Sequence, residues 1–506
     1  MLTVSLLVEI LRTRPRLIFW FAALSQAVLW TLVPSLFYAA PPGDVPQVLA
    51  VGHEFRLGTD LGPPLAYWLA EIAFRLAGLF GVYLLSQVCV FVTYWAVFRL
   101  GSAIVGARHA ALALLLMVGI SALTVPTPDF GPAILAMPLW ALALLHYWRA
   151  VGEGRARYWF WLALDIGLLL LTTYMGLALI ALLAGFTAVT ERGRKSLGRI
   201  EPMLAGLLMV ALLFPHLIWI DQASDLGLRI AALNENSVWT WARRAGVLIL
   251  GHAGLAILAA LASNMFRPSR REAPAIERLP ISAFGRRFVY FFALAPAVTV
   301  TFLGVLVGQP APNAIGALVI LSGLAVVVAG GDLIRLHNQY VAGLAWAALL
   351  LAPPAIAAAA VIVLPWTLGI DLRIARPAGE IGRFFTESFE RRTGKPFAVV
   401  GGDPELASLI ALASPQRPGV YRETDAPRSV WVGYDEVVRK GAVIVWPATD
   451  TQGTPPPAIR ARFPDLVAEI PRGFERRFQG RLPLLRIGWG VVRPQDAPAA
   501  TPEKSQ

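Results

Sequence analysis

Residues 43–68 read GDVPQVLAVGHEFRLGTDLGPPLAYW. Apolar runs lie on both sides of this stretch, yet it holds Asp44, His53, Glu54, Arg56, Asp60 and the pair Pro63-Pro64. Such a segment is a loop at a membrane edge, and the edge it occupies decides how the chain is threaded. Composition fixes the class. The 506 residues are 57% hydrophobic and 15% charged, with mean hydropathy +0.61, against roughly 45–50% apolar and about 25% charged in soluble domains. The chain is therefore read as a mainly α, polytopic membrane helical bundle. A net charge of +12 would suggest nucleic acid in a soluble protein. Here the positive-inside bias accounts for it, and no nucleic-acid partner is expected. The single cysteine, Cys89, excludes an internal disulfide and a cysteine-cluster metal site.

A span needs about 20 mostly apolar residues, and about eleven candidates meet that need: 17–38, 80–99, 109–125, 131–149, 158–173, 175–190, 202–220, 244–264, 288–308, 313–330 and 341–366. Basic residues gather in alternate connections: Arg12, Arg14 and Arg16; Arg99 and Arg108; Arg149, Arg155 and Arg157; Arg192, Arg194, Lys195 and Arg199; and six arginines between Arg267 and Arg287. That pattern places the N-terminus in the cytoplasm and residues 43–68 on the outer side. The segment after residue 370 then also lies outside. Its alternation of amphipathic and β-branched stretches predicts a small α/β domain over 370–493, after a transmembrane domain 1–369 with outer loop 39–79. SVWVGY (429–434) and GAVIVWP (441–447) read as short buried strands, and 494–506 as a disordered tail. Within the outer loop, PPLAYWLAEIAFRLAG (63–78) reads as a helix on the membrane surface. Leu65, Leu69, Ile72 and Leu76 share one face, and Glu71 and Arg75 can pair on the other.

Chemistry-bearing residues cluster on the same side. Asp44 follows Pro41-Pro42-Gly43 just past the first span. A carboxylate fixed there faces both water and lipid head groups. It suits proton abstraction from a hydroxyl, or binding of a divalent metal at a phosphate; otherwise it is a solvated loop acid. The second outer loop, VPTPDFGP (125–132), carries Asp129 as its one charge. Two carboxylates brought over a membrane groove would make an acid/base or metal site. Asp165 lies inside the fifth span, as a functional group or a partner within the bundle. His216 follows Pro215 near the outer end of the seventh, lining a cavity or holding structure. Arg229, Arg243 and Arg244 go against the positive-inside bias, which suits a phosphate partner or outer head groups. No Walker loop, dinucleotide fingerprint, histidine-rich metal motif or serine elbow is present.

These features together resemble the polyprenyl-phosphate-dependent glycosyltransferases of the GT-C class, which include protein O-mannosyltransferases and the bacterial lipid A aminoarabinose and galacturonic acid transferases. The residues that carry the resemblance are Asp44 with Gln47, Pro63-Pro64-Leu65 with Trp68, Asp129, Tyr174, and Pro215-His216-Leu217 with Trp219. It runs over roughly residues 15–220, and GDPELA and SPQRPGVY extend it into the C-terminal part. Two departures stand out. Asp44 has no neighbouring acid, and Thr173 stands where a lysine is usual before the tyrosine.

The resemblance implies sugar transfer on the outer, periplasmic face of a bacterial inner membrane. The donor would be a polyprenyl-phosphate sugar and the acceptor a lipid, glycan or protein. Asp44 would be the general base and Asp129 its helper. Gln47, His53, Pro64, Trp68, Tyr174, His216, Arg229 and Arg243 would bind substrate. No cofactor is required, and a divalent metal stays open. Two other readings compete: a GT-C relative that only binds a lipid-linked saccharide, and a transporter, which would want ionisable groups at the bilayer midplane.

Overall fold

The computed structural model describes residues 2–59, 61–125, 128–225, 245–263, 274–307, 315–422, 433–448 and 450–495. The chain is a multi-pass helical bundle that carries a small C-terminal sheet. Among the described residues six helices are long and apolar enough to cross a membrane. A seventh span results if Gly176–Val189 and Glu191–Leu197, bent by 104°, are taken together. The eleven expected spans exceed this number partly because several are broken. The span expected at 109–125 is split into Ala107–Met117 and Ser121–Thr124. The one expected at 313–330 is split into Ile315–Leu318 and Ser322–Ala329.

The first long helix, Pro15–Phe37, shows how apolar sequence sorts between lipid and protein. Leu17, Phe21, Leu24, Val28 and Leu32 are exposed, while Phe19, Ala22, Ala23, Gln26 and Trp30 are buried. The spacing of three and four residues puts one apolar stripe toward lipid and a tighter one toward the bundle. A buried polar group needs a partner. Gln26 donates to the Leu123 carbonyl (2.6 Å) and accepts from the Tyr94 hydroxyl (2.9 Å), which ties the first span to the broken third.

The helix Leu65–Val105 holds two pieces. Ala77 and Gly78 leave helical geometry, Gly78 with φ of 62°, so residues 65–76 form a separate ledge before the span begins. Ile72 and Leu76 are exposed on it, as the apolar face requires. Glu71 departs from the sequence expectation. It pairs with Arg75 (2.9 Å) but is 1% exposed, because His53 (3.0 Å) and Arg417 (3.0 Å) also close on it.

Arg417 belongs to the C-terminal part. There the helix Ala378–Thr393 stops at Gly394 in left-handed geometry. Strand β3 (Val399–Gly402) leads to the helix Pro404–Ala413, capped by the Asp403 carboxylate accepting from the Leu406 amide at 2.9 Å. Strands β1 (Ala275–Glu277) and β2 (Leu333–Arg335) pair separately at the other end of the bundle sequence. The main sheet runs β4 (Gly419–Arg422), β3, β5 (Ala442–Pro447), β7 (Leu485–Val492), β6 (Val467–Phe474). GAVIVWP is thus a buried strand. SVWVGY is not read the same way: 429–432 lie outside the described residues, and Tyr434 opens the helix Tyr434–Lys440. Asp435 and Glu436 in its first turn, with Arg439 and Lys440 in its last, favour that helix through its dipole.

Candidate functional site

The site begins where the first span ends. The Ala39 and Ala40 amides both donate to the Ile374 carbonyl (2.8 and 3.0 Å), so the chain leaves the first span anchored to the C-terminal part. Pro41 and Pro42 keep it extended, and Gly43 turns it at φ +50°. Asp44 then heads the short helix Val45–Gly52 but makes no side-chain cap bond. Its carboxylate is exposed and uncommitted to its own helix, while its backbone amide donates to Asp129 Oδ1 at 3.1 Å. The two outer loops therefore meet at these two acids.

Gly43 is required there. A Cβ built on it would lie 1.9 Å from Asp129 Oδ2, and left-handed φ adds strain of roughly 1–2 kcal/mol for other residues. Gly43→Ala is expected to push the two acids apart and lower activity at least about tenfold, the size of one misplaced positioning contact. A transfer assay at wild-type membrane abundance checks this.

Asp129 is half-buried, and its carboxyl is pushed up to about 7 by burial and then by the Asp44 charge, with the Asp44 amide pulling the other way. One acid is thus open to water, and its neighbour sits near neutrality, an arrangement suited to proton transfer. The sign of the stability effect follows. The unfolded acid loses its proton near 3.8 and the folded one near 7, so Asp129 weakens the fold as pH rises across that window. Asp129→Asn should therefore raise the melting temperature more at pH above 7 than at pH near 4, read by thermal unfolding in detergent across that range.

Asp44 and Asp129 border a cavity of about 650 Å³. Gln47, Tyr67, Ser121, Thr173 and His252 add polar atoms to its lining, and Val48, Leu61, Ile120, Met137, Leu248 and Val319 make most of the rest. This mixture fits a ligand with a polar head and an apolar tail. Among the described residues no group of three or more His, Cys, Asp or Glu is placed to hold a metal.

The other expected site residues build the wall rather than the lining. His53 donates to or accepts from Glu71 across 3.0 Å. Pro64 precedes the ledge, whose first amide, Leu65, donates to the Leu171 carbonyl at 2.9 Å. Trp68 Nε1 donates to the Arg56 carbonyl at 2.9 Å. The Tyr174 hydroxyl meets His216 Nε2 at 3.1 Å, and His216 Nδ1 meets the Leu57 carbonyl at 2.8 Å. Trp219 stacks on His216 and lies against Gly58, where a Cβ would come within 2.3 Å of the indole. Together these side chains pin the loop 53–62 over the ledge. Arg229, Arg243, Arg244 and Asp60 lie outside the described residues. Asp165 pairs with His146 across 2.6 Å inside the bundle and takes no part in the cavity lining.

Sequence reasoning passed over Tyr67, Ser121 and His252. For His252 a signal exists: an ionisable residue within an apolar run, flanked by Gly251 and Gly254.

Residues 62–219 match the family model described as dolichyl-phosphate-mannose-protein mannosyltransferase. No curated protein matches the chain. Among solved structures, ArnT from Cupriavidus metallidurans in the apo state is 15% identical with a TM-score of 0.56, covering 94% of this chain and 97% of that one. The same protein bound to undecaprenyl phosphate is 13% identical, with a TM-score of 0.43 and coverage of 95% and 99%. The apo oligosaccharyltransferase of Archaeoglobus fulgidus is 14% identical, with a TM-score of 0.45 and coverage of 80% and 64%. The chain has the ArnT-like GT-C fold, with a mannosyltransferase-like segment over the ledge and the spans that follow it.

Proposed function

We propose that this chain is a membrane glycosyltransferase that moves a sugar from a polyprenyl-phosphate-linked donor to an extracytoplasmic acceptor, with Asp44 as general base. The observation that carries this reading is the meeting of Asp44 and Asp129, 85 residues apart in sequence, at one cavity. The GT-C fold and the mannosyltransferase match over 62–219 support it.

The chemistry follows from what the residues offer. An acceptor hydroxyl donates its hydrogen bond to the Asp44 carboxylate, which takes the proton as the oxygen attacks the anomeric carbon. The bond from that carbon to the phosphate oxygen breaks, and the lipid phosphate leaves with the electron pair. A phosphate is already a good leaving group, so no strong acid is needed opposite Asp44. Asp129 holds the Asp44 backbone through the 3.1 Å bond and sets the direction of the attacking side. Gln47, one turn along the same short helix, also faces the cavity and suits a sugar hydroxyl. The apolar lining accepts the first isoprene units of the donor. No step calls for a metal. The proposed setting is a bacterial inner membrane, with the cavity and the sheet on the outer side.

Mass spectrometry of lipid A, polysaccharide and glycoprotein from cells with and without the gene tests this reading. One envelope class is expected to lose a sugar mass in the deletion strain. Identical glycans in all three classes would overturn it.

A further inference from the structure

Three broken membrane segments meet beside the cavity, and His252 stands at their junction. One break separates Ala107–Met117 from Ser121–Thr124; another precedes Ala253–Ala262; the third separates Ile315–Leu318 from Ser322–Ala329. Backbone bonds lock the first two together. The Ser121 amide donates to the Gly251 carbonyl and the Leu255 amide to the Gly119 carbonyl, both at 2.9 Å. Gly119 and Gly254 permit that approach, since a Cβ on either would fall within 2.6 Å of backbone across the contact. His252 ties in the third segment, with Nε2 2.9 Å from Ser322 Oγ.

The imidazole is held so that it can carry charge. Nδ1 lies 2.7 Å from the Leu248 carbonyl, which only accepts, so Nδ1 bears a hydrogen. Nε2 faces a hydroxyl, which can either donate or accept. Neutral His252 accepts from Ser322; protonated His252 donates to it. Neither state leaves a ring nitrogen unpaired. Meanwhile the cavity has the opposite need. Asp44 and Asp129 bring negative charge, and a departing lipid phosphate adds more. Among the described residues that line it there is no lysine or arginine. The helices Ala253–Ala262 and Ser322–Ala329 also begin at these breaks, so their positive dipole ends lie at the same level.

We propose that His252 is the cationic group that binds the phosphate of the lipid-linked ligand. This rests on the polyprenyl-phosphate reading of the donor. It adds the residue that holds the leaving group after the bond to the sugar has broken.

The test uses the purified full chain in detergent, with undecaprenyl phosphate and undecaprenol as paired probes and native mass spectrometry as the readout. Wild-type protein should prefer the phosphate. His252→Gln keeps a hydrogen-bonding side chain but removes the charge. It should weaken undecaprenyl phosphate binding by about tenfold or more, the size of a lost charge-assisted bond, and leave undecaprenol binding unchanged. His252→Lys should restore the preference. Unchanged phosphate binding in His252→Gln, or equal loss of both probes, would overturn the assignment. A wild-type protein indifferent to the phosphate would overturn the donor reading itself, and this inference with it.

Discussion

Asp44→Asn is expected to lower sugar transfer by about 10²–10⁴-fold, the contribution of a positioned general base, with protein abundance and melting temperature unchanged. The side chain is exposed at the cavity and makes no cap bond to its helix, so the fold does not depend on its charge. Asparagine keeps the size and the backbone amide that Asp129 accepts from, and loses only the ability to take a proton. Donor binding should survive, so the loss should fall on kcat more than on KM. The assay is transfer by purified protein to the acceptor that envelope mass spectrometry identifies. Full activity in Asp44→Asn would remove the general base from the mechanism. The alternative in which the chain only binds a lipid-linked saccharide makes the opposite forecast, with glycans unchanged in the variant and in the deletion strain.

Glu71→Ala carries the second large effect, on stability. Glu71 is 1% exposed and is shared by His53, Arg75 and Arg417. Arg417 also donates to the Leu49 carbonyl at 3.0 Å and lies over the Phe74 ring. Through this one carboxylate the short helix behind Asp44, the ledge and the C-terminal part are fastened together. Removing it leaves Arg417 in a largely buried position without its counter-charge, a change that costs on the order of 3–5 kcal/mol. Thermal unfolding in detergent should show a clear loss for Glu71→Ala. The double variant with Arg417→Met should recover part of it, because the stranded charge has gone. A Glu71→Ala protein that melts with the wild type would show that the cluster is not what fastens these parts. The geometry of Asp44 depends on the same docking, so activity should fall with stability in Glu71→Ala.

The sequence marked Asp44 and Asp129 for a physical reason. Proline-bounded carboxylates at the ends of apolar runs have few places to go but the outer membrane surface. What it did not reveal was their direct contact, since that depends on Gly43 turning with φ +50° under the Asp129 carboxylate. The ledge helix was legible from its apolar spacing and from Gly78, which breaks it away from the span. The burial of Glu71 was not. Helical periodicity places it on a polar face, and only the arrival of Arg417 from 346 residues away turns that face inward. Tyr174, His216 and Trp68 carry the family pattern, yet they hold the loop above the cavity and do not line it. A shared motif records position in a fold more readily than contact with a ligand. His252 was hidden because an apolar run with two flanking glycines reads as an ordinary span until its break is seen.

The most direct measurement is an experimental structure of the chain with a non-transferable polyprenyl-phosphate sugar bound. The sugar should lie in the cavity with its anomeric carbon facing the Asp44 carboxylate, and the tail should run out along the apolar lining. A head group found elsewhere on the protein, with the cavity between Asp44 and Asp129 empty at saturating ligand, would contradict the proposed mechanism.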